Sequence, residues 1–251
     1  MNNFLYRSLG ILTIMICSAC GADFNNSTKY PIENTHSYHD GHQHGAPITK
    51  PATSDFDTSK IDAIQDRYSD ENRQMWQQPH LALNMFGNLS DKVIADIGAG
   101  PEGYFTLFLA GRTKAAKIIA LDIDKKALDF IDEVKKGLDE PTQARIETRL
   151  AGADSANLKA TEVDGVLISE TLIYIDDPVT YLSNLRKSIK KGGKLLVIDF
   201  KMKQIPAIFP PVEERMPLYK MEDIVEKAGF QRLVTDDMSL PFHYMVLCEN
   251  P

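Results

Sequence analysis

Residues 93–110, VIADIGAGPEGYFTLFLA, determine the fold class of this chain. An apolar run of strand length is followed by glycines at 98, 100 and 103, and then by an apolar segment of helix length. Glycines at such positions let the backbone turn sharply and approach a ligand closely. The N-terminus of the following helix offers free N–H groups to an anionic group. The stretch therefore predicts a strand, a ligand-binding loop and a helix.

The same alternation continues along the chain and predicts an α/β domain. Four predicted strands (VIADI, KIIALDI, DGVLIS and KLLVIDF) are nearly continuous apolar runs, as expected for strands buried on both faces. Strands and helices in turn indicate a mostly parallel sheet covered by helices on both sides. The predicted strands are 93–97, 117–122, 145–150, 163–169, 194–200, 230–236 and 242–248. The predicted helices are one or two within 60–88, then 103–111, 125–137, 178–191 and 217–228.

Three of the expected boundaries rest on particular residues. Asp177 followed by Pro178 is typical of a helix start. Lys190, Lys191 and Gly192 are expected to end that helix, because positive charge and a glycine are typical of a helix C-terminus. The segment 206–217 contains four prolines and is expected to be a stiff loop without regular structure.

The first twenty residues have the layout of a bacterial export signal. Arg7 precedes an apolar run at 9–16, and two small residues then lead to Cys20. The run is too short for a comfortable membrane span. A cysteine after small residues resembles a lipobox, although Cys17 stands where an aliphatic residue is more usual; an ordinary secreted protein is the alternative. We expect lipidation at Cys20 and a location at the periplasmic face of a bacterial membrane.

Residues 21–57 are expected to form a flexible linker to a folded domain at 58–251. The segment is rich in polar residues and has no helical or strand periodicity. It holds four histidines: His36, His39, His42 and His44. Imidazoles at this density can bind Zn, Cu or Ni ions, while a solvated linker without a metal is the plainer interpretation. A preformed catalytic metal site is not expected, because nothing rigid holds these side chains.

Length and composition bound the function classes. The chain has 251 residues, enough for one α/β domain with an extension. A net charge of -7 without a long Lys/Arg run argues against a nucleic-acid partner. The three cysteines, Cys17, Cys20 and Cys248, form neither a zinc ligand set nor a redox-type pair, which argues against a disulfide scaffold.

Acidic residues accompany the first three predicted strands. Asp96 lies two residues before Gly98, where a buried carboxylate suits an ammonium group. Asp122 ends the second strand, where a carboxylate can accept both hydrogen bonds of a ribose. Asp154 follows the third strand and could accept from an exocyclic amine such as that of adenine. The plainer alternatives are a cap of the loop for Asp96, a turn residue for Asp122 and an ordinary loop residue for Asp154.

Two cofactors fit the glycine loop. Gly98, Gly100 and Gly103 spell the G-x-G-x-x-G of dinucleotide-binding folds, which alone is weak evidence. S-adenosylmethionine carries an ammonium group for Asp96, whereas nicotinamide cofactors have none. We therefore expect S-adenosylmethionine. The expected cofactor-binding residues are Asp96, Gly98, Gly100, Gly103, Asp122, Ile123, Asp154 and Ser155.

Six segments carry a resemblance to a known family. They are NRQMWQQP at 72–79, VIADIGAG at 93–100, GYFT at 103–106, KKGGKLLVIDFK at 190–201, PPVEER at 210–215 and the closing AGF…LPFHYMVL. The chain resembles class I S-adenosylmethionine-dependent methyltransferases of the ubiquinone/menaquinone-biosynthesis type, and more narrowly an exported bacterial subgroup with a His-rich N-terminal segment. The resemblance implies a Rossmann-like, doubly wound, mostly parallel seven-stranded sheet with an antiparallel C-terminal strand.

The chain departs from this family at two places. Pro101-Glu102 adds one residue before Gly103, so the loop is expected to bulge and to bring the charge of Glu102 near the carboxylate of the cofactor. The subgroup often has histidines after the fourth strand, where this chain has Glu170 and the residues TLIY. Glu170 is the candidate catalytic base or acceptor-orienting group, and a solvated loop carboxylate is the alternative. Trp76 is expected to be a packing anchor on a helix that borders the cleft.

The expected function is methyl transfer from S-adenosylmethionine to a small-molecule acceptor. Such a displacement depends mainly on alignment, so no nucleophilic side chain is required. The export signal conflicts with a cofactor that is made inside the cell. Two alternatives therefore stay open: an exported, non-catalytic binding module that uses the same cleft, with metal capture by the histidines, and an NAD(P)-dependent oxidoreductase.

Overall fold

The structure, a computed structural model, describes residues 73–205 and 210–251. The chain divides into two units, Met1–Ala52 and Thr53–Pro251, and every described residue belongs to the second. The predicted export signal, Cys20 and the histidine-containing linker lie outside the described residues. No helix in the described part of the chain is both long and apolar enough to cross a membrane.

Helices and strands alternate along the described residues. The helices are α1 (Arg73–Gln77), α2 (Pro79–Phe86), α3 (Tyr104–Arg112), α4 (Lys125–Val134), α5 (Glu140–Gln143), α6 (Pro178–Arg186) and α7 (Leu218–Lys227). The strands are β1 (Val93–Ile97), β2 (Lys117–Asp122), β3 (Ile146–Leu150), β4 (Val163–Ser169), β5 (Ile189–Phe200), β6 (Gln231–Asp236) and β7 (His243–Glu249). Short 3₁₀ turns lie at Lys135–Gly137, Leu172–Tyr174 and Val212–Glu214.

The strands form one sheet in the order β3-β2-β1-β4-β5-β7-β6. The first five strands pair in parallel, and β7 runs antiparallel to both β5 and β6. This confirms the expected mostly parallel, seven-stranded, doubly wound sheet with an antiparallel C-terminal strand. The strand order reverses direction at β1 and β4, and the crevice outside the carboxyl ends of strands at such a point is where ligands bind in this kind of fold.

Both faces of the sheet are buried, which explains the continuous apolar strands. Alternate side chains of a strand point to opposite faces. Ala95 and Ile97 lie in the core layer that includes Leu182 of α6, whereas Ile94 lies in the other layer with Leu109 of α3. The sequence pattern therefore reports burial on both sides of the sheet.

Two predicted boundaries are wrong. The helix expected at 178–191 ends at Arg186, and Lys190, Lys191 and Gly192 belong to β5. Their place is fixed by the sheet: Ile189 pairs with Val163, and the Gly192 N–H donates to the carbonyl of Asn250 at 2.7 Å. The proline-rich loop also contains regular structure, since Val212–Glu214 forms a 3₁₀ turn.

Candidate active site

A cavity lies at the carboxyl ends of β1 and β4, where the strand order reverses. Its volume is about 310 Å³, counting space that is open to solvent. The glycine loop forms one wall, the tip of β4 another, and α1 closes the side. The lining residues are Arg73, Asp96, Gly98, Ala99, Gly100, Pro101, Glu102, Tyr104, Phe105, Ser169 and Glu170.

The three predicted glycines have different physical roles. All three have positive φ, at 73°, 72° and 57° for Gly98, Gly100 and Gly103. A Cβ on Gly98 would lie 2.0 Å from Thr171 Oγ1, and a Cβ on Gly103 would lie 2.6 Å from Ile131 Cγ1. A Cβ on Gly100 would meet nothing closer than a backbone oxygen at 3.9 Å. Gly98 and Gly103 therefore allow close packing inside the protein, whereas Gly100 borders open space.

The extra loop residue is accommodated in a tight turn. The Gly103 N–H donates to the Gly100 carbonyl at 3.2 Å, which closes the loop over Pro101 and Glu102. Upstream, the N–H groups of Gly98 and Ala99 both donate to the carbonyl of Leu121, at 2.8 and 3.0 Å. The predicted bulge is thus confined to the segment between Gly100 and Gly103.

Asp96 lies at the floor of the cavity and is almost completely buried. The Thr106 hydroxyl donates to its Oδ2 at 2.7 Å. Burial raises the pKa of the Asp96 carboxyl to about 6, against the opposing effect of the Thr106 hydrogen bond, and the nearby charge of Asp122 raises it further. The hydrogen-bond donor to Asp96 therefore lies in the first turn of α3. In the alternative interpretation Asp96 caps the glycine loop, and the donor would lie in that loop.

Asp122 connects the end of β2 to the glycine loop. Its Oδ2 accepts from the Gly100 N–H at 2.9 Å and its Oδ1 from the Asp124 N–H at 2.9 Å. Burial raises the pKa of the Asp122 carboxyl, although these two N–H groups oppose the shift. The neighbouring Ile123 side chain is 63% exposed and leaves an apolar surface at the rim.

Asp154 and Ser155 are exposed and, like Asp122 and Ile123, are not among the residues that line the cavity. A short bridge between Gly152 and Ser155 shapes their loop, and the Ser155 hydroxyl accepts from the Asn157 N–H at 3.1 Å. The first residue of this loop is hydrogen-bonded to the last residue of β2, because the Ala151 N–H donates to the Asp122 carbonyl at 2.8 Å.

Arg73 enters the cavity from α1, and the sequence prediction does not include it. Its Nε donates to Gln77 Oε1 at 2.5 Å, and its guanidinium lies 3.9 Å from the centroid of the Tyr104 ring. Its Nη1 lies 3.5 Å from Glu102 Oε2, so the charge of Glu102 has a cationic neighbour. Burial raises the pKa of Glu102, and Arg73 opposes that shift. Arg73, 29 positions earlier in the chain, therefore counteracts the repulsion that Glu102 is expected to exert on the carboxylate of the cofactor.

Glu170 is buried at the tip of β4, which excludes the alternative of a solvated loop carboxylate. It is 4% exposed, and its Oε1 accepts from Gln77 Nε2 at 3.1 Å. The same oxygen lies 2.9 Å from Nε2 of His243, the first residue of β7. Trp76 stacks on the His243 ring, with centroids 5.6 Å apart. The sequence prediction also misses His243 and Gln77, although both lie in the quoted segments LPFHYMVL and NRQMWQQP.

The described residues hold no group of three or more His, Cys, Asp and Glu side chains that could bind a metal ion. The four histidines predicted as metal ligands lie outside the described residues.

Comparisons with known proteins agree with this geometry. Residues 95–197 match a family described as a methyltransferase domain. An S-adenosylmethionine-dependent methyltransferase from Aquifex aeolicus is 22% identical, with a TM-score of 0.68 over 78% of this chain and 100% of that chain. One from Mesorhizobium loti is 15% identical, with a TM-score of 0.57 over 72% and 99%. Phosphoethanolamine N-methyltransferase 2 of Haemonchus contortus, solved with S-adenosylmethionine, is 17% identical, with a TM-score of 0.56 over 70% and 53%.

No curated protein sequence matches the chain. Identities this low show the shared fold, while the domain match runs from β1 into β5 and includes the whole glycine loop. Residues 95–197 therefore match a methyltransferase domain, and the fold is the one shared by the S-adenosylmethionine-dependent methyltransferases named above. The comparisons give no support to the binding module or to the NAD(P)-dependent oxidoreductase.

Proposed function

We propose that the protein transfers a methyl group from S-adenosylmethionine to a small-molecule acceptor. The observation that carries the proposal is the pairing of opposite charges in one cavity: the buried carboxyl of Asp96 and the buried guanidinium of Arg73. The amino-acid end of S-adenosylmethionine carries an ammonium and a carboxylate, which match these two groups. A nicotinamide cofactor has no ammonium group to place against Asp96.

Tyr104 supports the same assignment. Its hydroxyl is buried and has no hydrogen-bond partner among the described residues, and its ring lies under Arg73. Burial raises the pKa of this hydroxyl, so it stays protonated and can donate. A carboxylate between Arg73 and Tyr104 would satisfy a donor that is otherwise buried without a partner.

The adenosine end of the cofactor fits the exit of β2. Asp122 can accept the hydroxyl groups of a ribose, and the exposed face of Ile123 can pack against a purine ring. Asp154 is exposed on the loop after β3 and has no contact with the glycine loop among the described hydrogen bonds, whereas Asp122 accepts from the Gly100 N–H. Asp122 and Ile123 are therefore assigned more weight in cofactor binding than Asp154 and Ser155.

The protein contributes to such a reaction chiefly by alignment. Methyl transfer is a displacement in which the nucleophile, the methyl carbon and the sulfonium sulfur lie in line, and holding them so supplies much of the rate. Gly100 leaves the loop backbone open where the cofactor would lie, and Arg73 would anchor its carboxylate end.

Calorimetric titration with S-adenosylhomocysteine tests the proposal. We expect saturable binding at pH 7.5, weakened at least tenfold by Asp96→Asn and by Arg73→Met, because one removes a charge-assisted hydrogen bond and the other a bidentate donor. Asp129→Asn is the matched control, since this exposed carboxylate on α4 pairs with Lys125 away from the cavity. Absence of binding to both S-adenosylmethionine and S-adenosylhomocysteine at millimolar concentration would refute the proposal, and binding of NADH instead would favour the oxidoreductase.

We also propose that the domain is exported and tethered by a lipid on Cys20. The layout of the first twenty residues supports this location, and the histidines at 36, 39, 42 and 44 would then face an extracytoplasmic compartment in which Zn, Cu or Ni ions can be bound.

A further inference from the structure

A buried polar cluster lies directly behind the cofactor cavity. Its members are Glu170 at the tip of β4, His243 at the start of β7 and Gln77 at the end of α1. The side chains of Glu170 and His243 are 2% and 0% exposed, and Glu170 also lines the cavity. Three elements distant in sequence thus place a carboxylate against the space in which a methyl acceptor must meet the cofactor.

The contacts of His243 indicate which of its nitrogens carries the proton. Nε2 lies 2.9 Å from Glu170 Oε1, and Nδ1 is buried without a hydrogen-bond partner among the described residues. The rings of Phe200 and Trp76 pack against the imidazole, with centroids 4.1 and 5.6 Å away. A buried N–H without an acceptor costs more free energy than a buried lone pair that faces apolar rings. His243 is therefore assigned as the donor of its Nε2–H to Glu170 Oε1.

Gln77 adds a second donor to the same carboxylate. Arg73 can only donate, so its bond to Gln77 Oε1 fixes the orientation of the amide. The amide nitrogen then donates to Glu170 Oε1 at 3.1 Å and lies 3.4 Å from Ser169 Oγ. The two hydrogen bonds favour the ionised carboxylate, and they oppose the effect of burial, which favours the protonated form.

Other charged groups surround the cluster. Arg73 approaches from α1 through Gln77, and Asp96 and Glu102 face it across the cavity. The Arg215 guanidinium lies 5.6 Å from the centroid of the Phe200 ring, which itself packs on the imidazole. Asp199 precedes Phe200 in β5, and its side chain points to the opposite face of the sheet, as alternate residues of a strand do.

We propose that Glu170, hydrogen-bonded by His243 and Gln77, is the base that accepts a proton from the methyl acceptor, and that this acceptor reacts through a hydroxyl oxygen. The inference rests on the proposed methyl transfer and adds the class of acceptor. Glu170 would be the catalytic residue, and His243 and Gln77 would be positioning residues.

The proposed step is balanced in atoms and charge. The acceptor O–H bond breaks and its proton passes to the Glu170 carboxylate, while the oxygen forms a bond to the methyl carbon. The bond between that carbon and the sulfonium sulfur breaks, and its electron pair stays on sulfur. The products are a methyl ether, neutral S-adenosylhomocysteine and protonated Glu170, which returns its proton to water when the products leave.

The test uses the full chain with labelled S-adenosylmethionine and two probes of similar shape. Catechol offers a hydroxyl that must lose a proton, whereas thioanisole accepts a methyl group on a sulfur that carries none. We expect transfer to catechol and a kcat lowered on the order of 100-fold in Glu170→Gln. The KM for S-adenosylmethionine should stay within about threefold, because positioning of the cofactor does not use this carboxylate. Glu133→Gln on α4 is the matched control, since this exposed carboxylate pairs with Lys136 of the following 3₁₀ turn and does not line the cavity.

His243→Leu separates a proton-accepting unit from a merely structural one, because leucine has no hydrogen-bond donor. Loss of the Nε2–H should make Glu170 easier to protonate, so the acid limb of the pH profile of kcat should move to higher pH.

Every outcome of these experiments either supports or overturns the inference. Calorimetric binding of S-adenosylhomocysteine shows that a variant is folded, and if the wild type itself does not bind it, the proposed function fails and not this inference alone. Where the wild type binds, the inference is overturned by any of four results: transfer to thioanisole as fast as to catechol, no transfer to catechol, an unchanged kcat in Glu170→Gln, or an unchanged acid limb in His243→Leu. If Glu170→Gln does not fold, the pH profile of His243→Leu provides the test.

Discussion

The absence of a side chain at Gly103 allows α3 to begin where it does. This residue precedes the first turn of α3 with φ at 57°, and a Cβ would lie 2.6 Å from Ile131 Cγ1 of α4. We expect Gly103→Ala to lower the free energy of unfolding by about 1–3 kcal/mol, because both the backbone conformation and the overpacked contact are unfavourable. Urea denaturation monitored by circular dichroism measures the change.

Gly111 provides the matched control for that substitution. It lies within α3, a Cβ at this position would meet nothing within 4 Å, and its φ is not positive. Gly111→Ala should therefore raise stability by about 0.5–1 kcal/mol, the ordinary preference of a helix for alanine. Equal destabilisation by both substitutions would contradict the assigned role of Gly103.

The carboxyl of Asp96 is expected to lower the free energy of unfolding at neutral pH, compared with an uncharged side chain at the same position. Burial raises the pKa of this carboxyl from 3.8 to about 6, so the folded state holds the proton more tightly than the unfolded state. The stabilisation due to this proton is complete below pH 3.8 and is lost as the pH rises through 6. We expect Asp96→Asn to be more stable than the wild type at pH 7.5, by on the order of 2 kcal/mol. The difference should shrink toward zero at pH 4, as measured by urea unfolding at both pH values.

The same titration should control cofactor binding in the opposite sense. An ammonium group is held by the ionised carboxylate, and one pH unit below a pKa only about a tenth of the group is ionised. The affinity of the wild type for S-adenosylhomocysteine should therefore fall about tenfold between pH 7 and pH 5. Asp96→Asn should bind weakly at both pH values. A wild-type affinity that is independent of pH over this range would argue against the contact.

At the scale of elements, Arg145 holds the end of α3 against the sheet. Its guanidinium donates to the carbonyls of Ala110, Thr113 and Ala115, at 2.6, 3.0 and 3.1 Å. Arg145→Met would leave carbonyls at this helix end without a donor and should cost about 2 kcal/mol in thermal or urea unfolding. Arg112→Met is the control: this exposed residue of the last turn should change stability by no more than about 0.5 kcal/mol.

The two ends of α6 show where local sequence is informative. The helix start predicted at Asp177 is confirmed, since its side chain accepts from the Thr180 N–H at 3.0 Å. The predicted far end is wrong by five residues, because Lys190, Lys191 and Gly192 resemble a helix end but are held in β5. A cap uses neighbours within one turn, whereas the start of β5 depends on pairing with β4 and on Asn250, 58 residues away from Gly192.

At the scale of the whole molecule, the proposed lipid anchor predicts a change of compartment. Cys20→Ser should move the protein from the membrane fraction to the soluble fraction of the exported proteins, because the thioether to lipid can no longer form. Cys17→Ser, three residues away, should leave the distribution unchanged. Fractionation of cells that express each full-length variant measures it. Wild-type protein in the cytoplasmic fraction would contradict both the export and the anchor.

The fold class, the glycine loop and the carboxylates of Asp96 and Asp122 at strand ends all follow from the amino-acid sequence, because each is encoded within a few neighbouring residues. Which side chains share the cavity follows from tertiary contacts alone. Arg73 faces Glu102 across 29 positions and Glu170 meets His243 across 73, so no local pattern links them. Pairs of this kind form because the sheet brings strand ends and the N-terminal helix together, and packing against it then buries their charges.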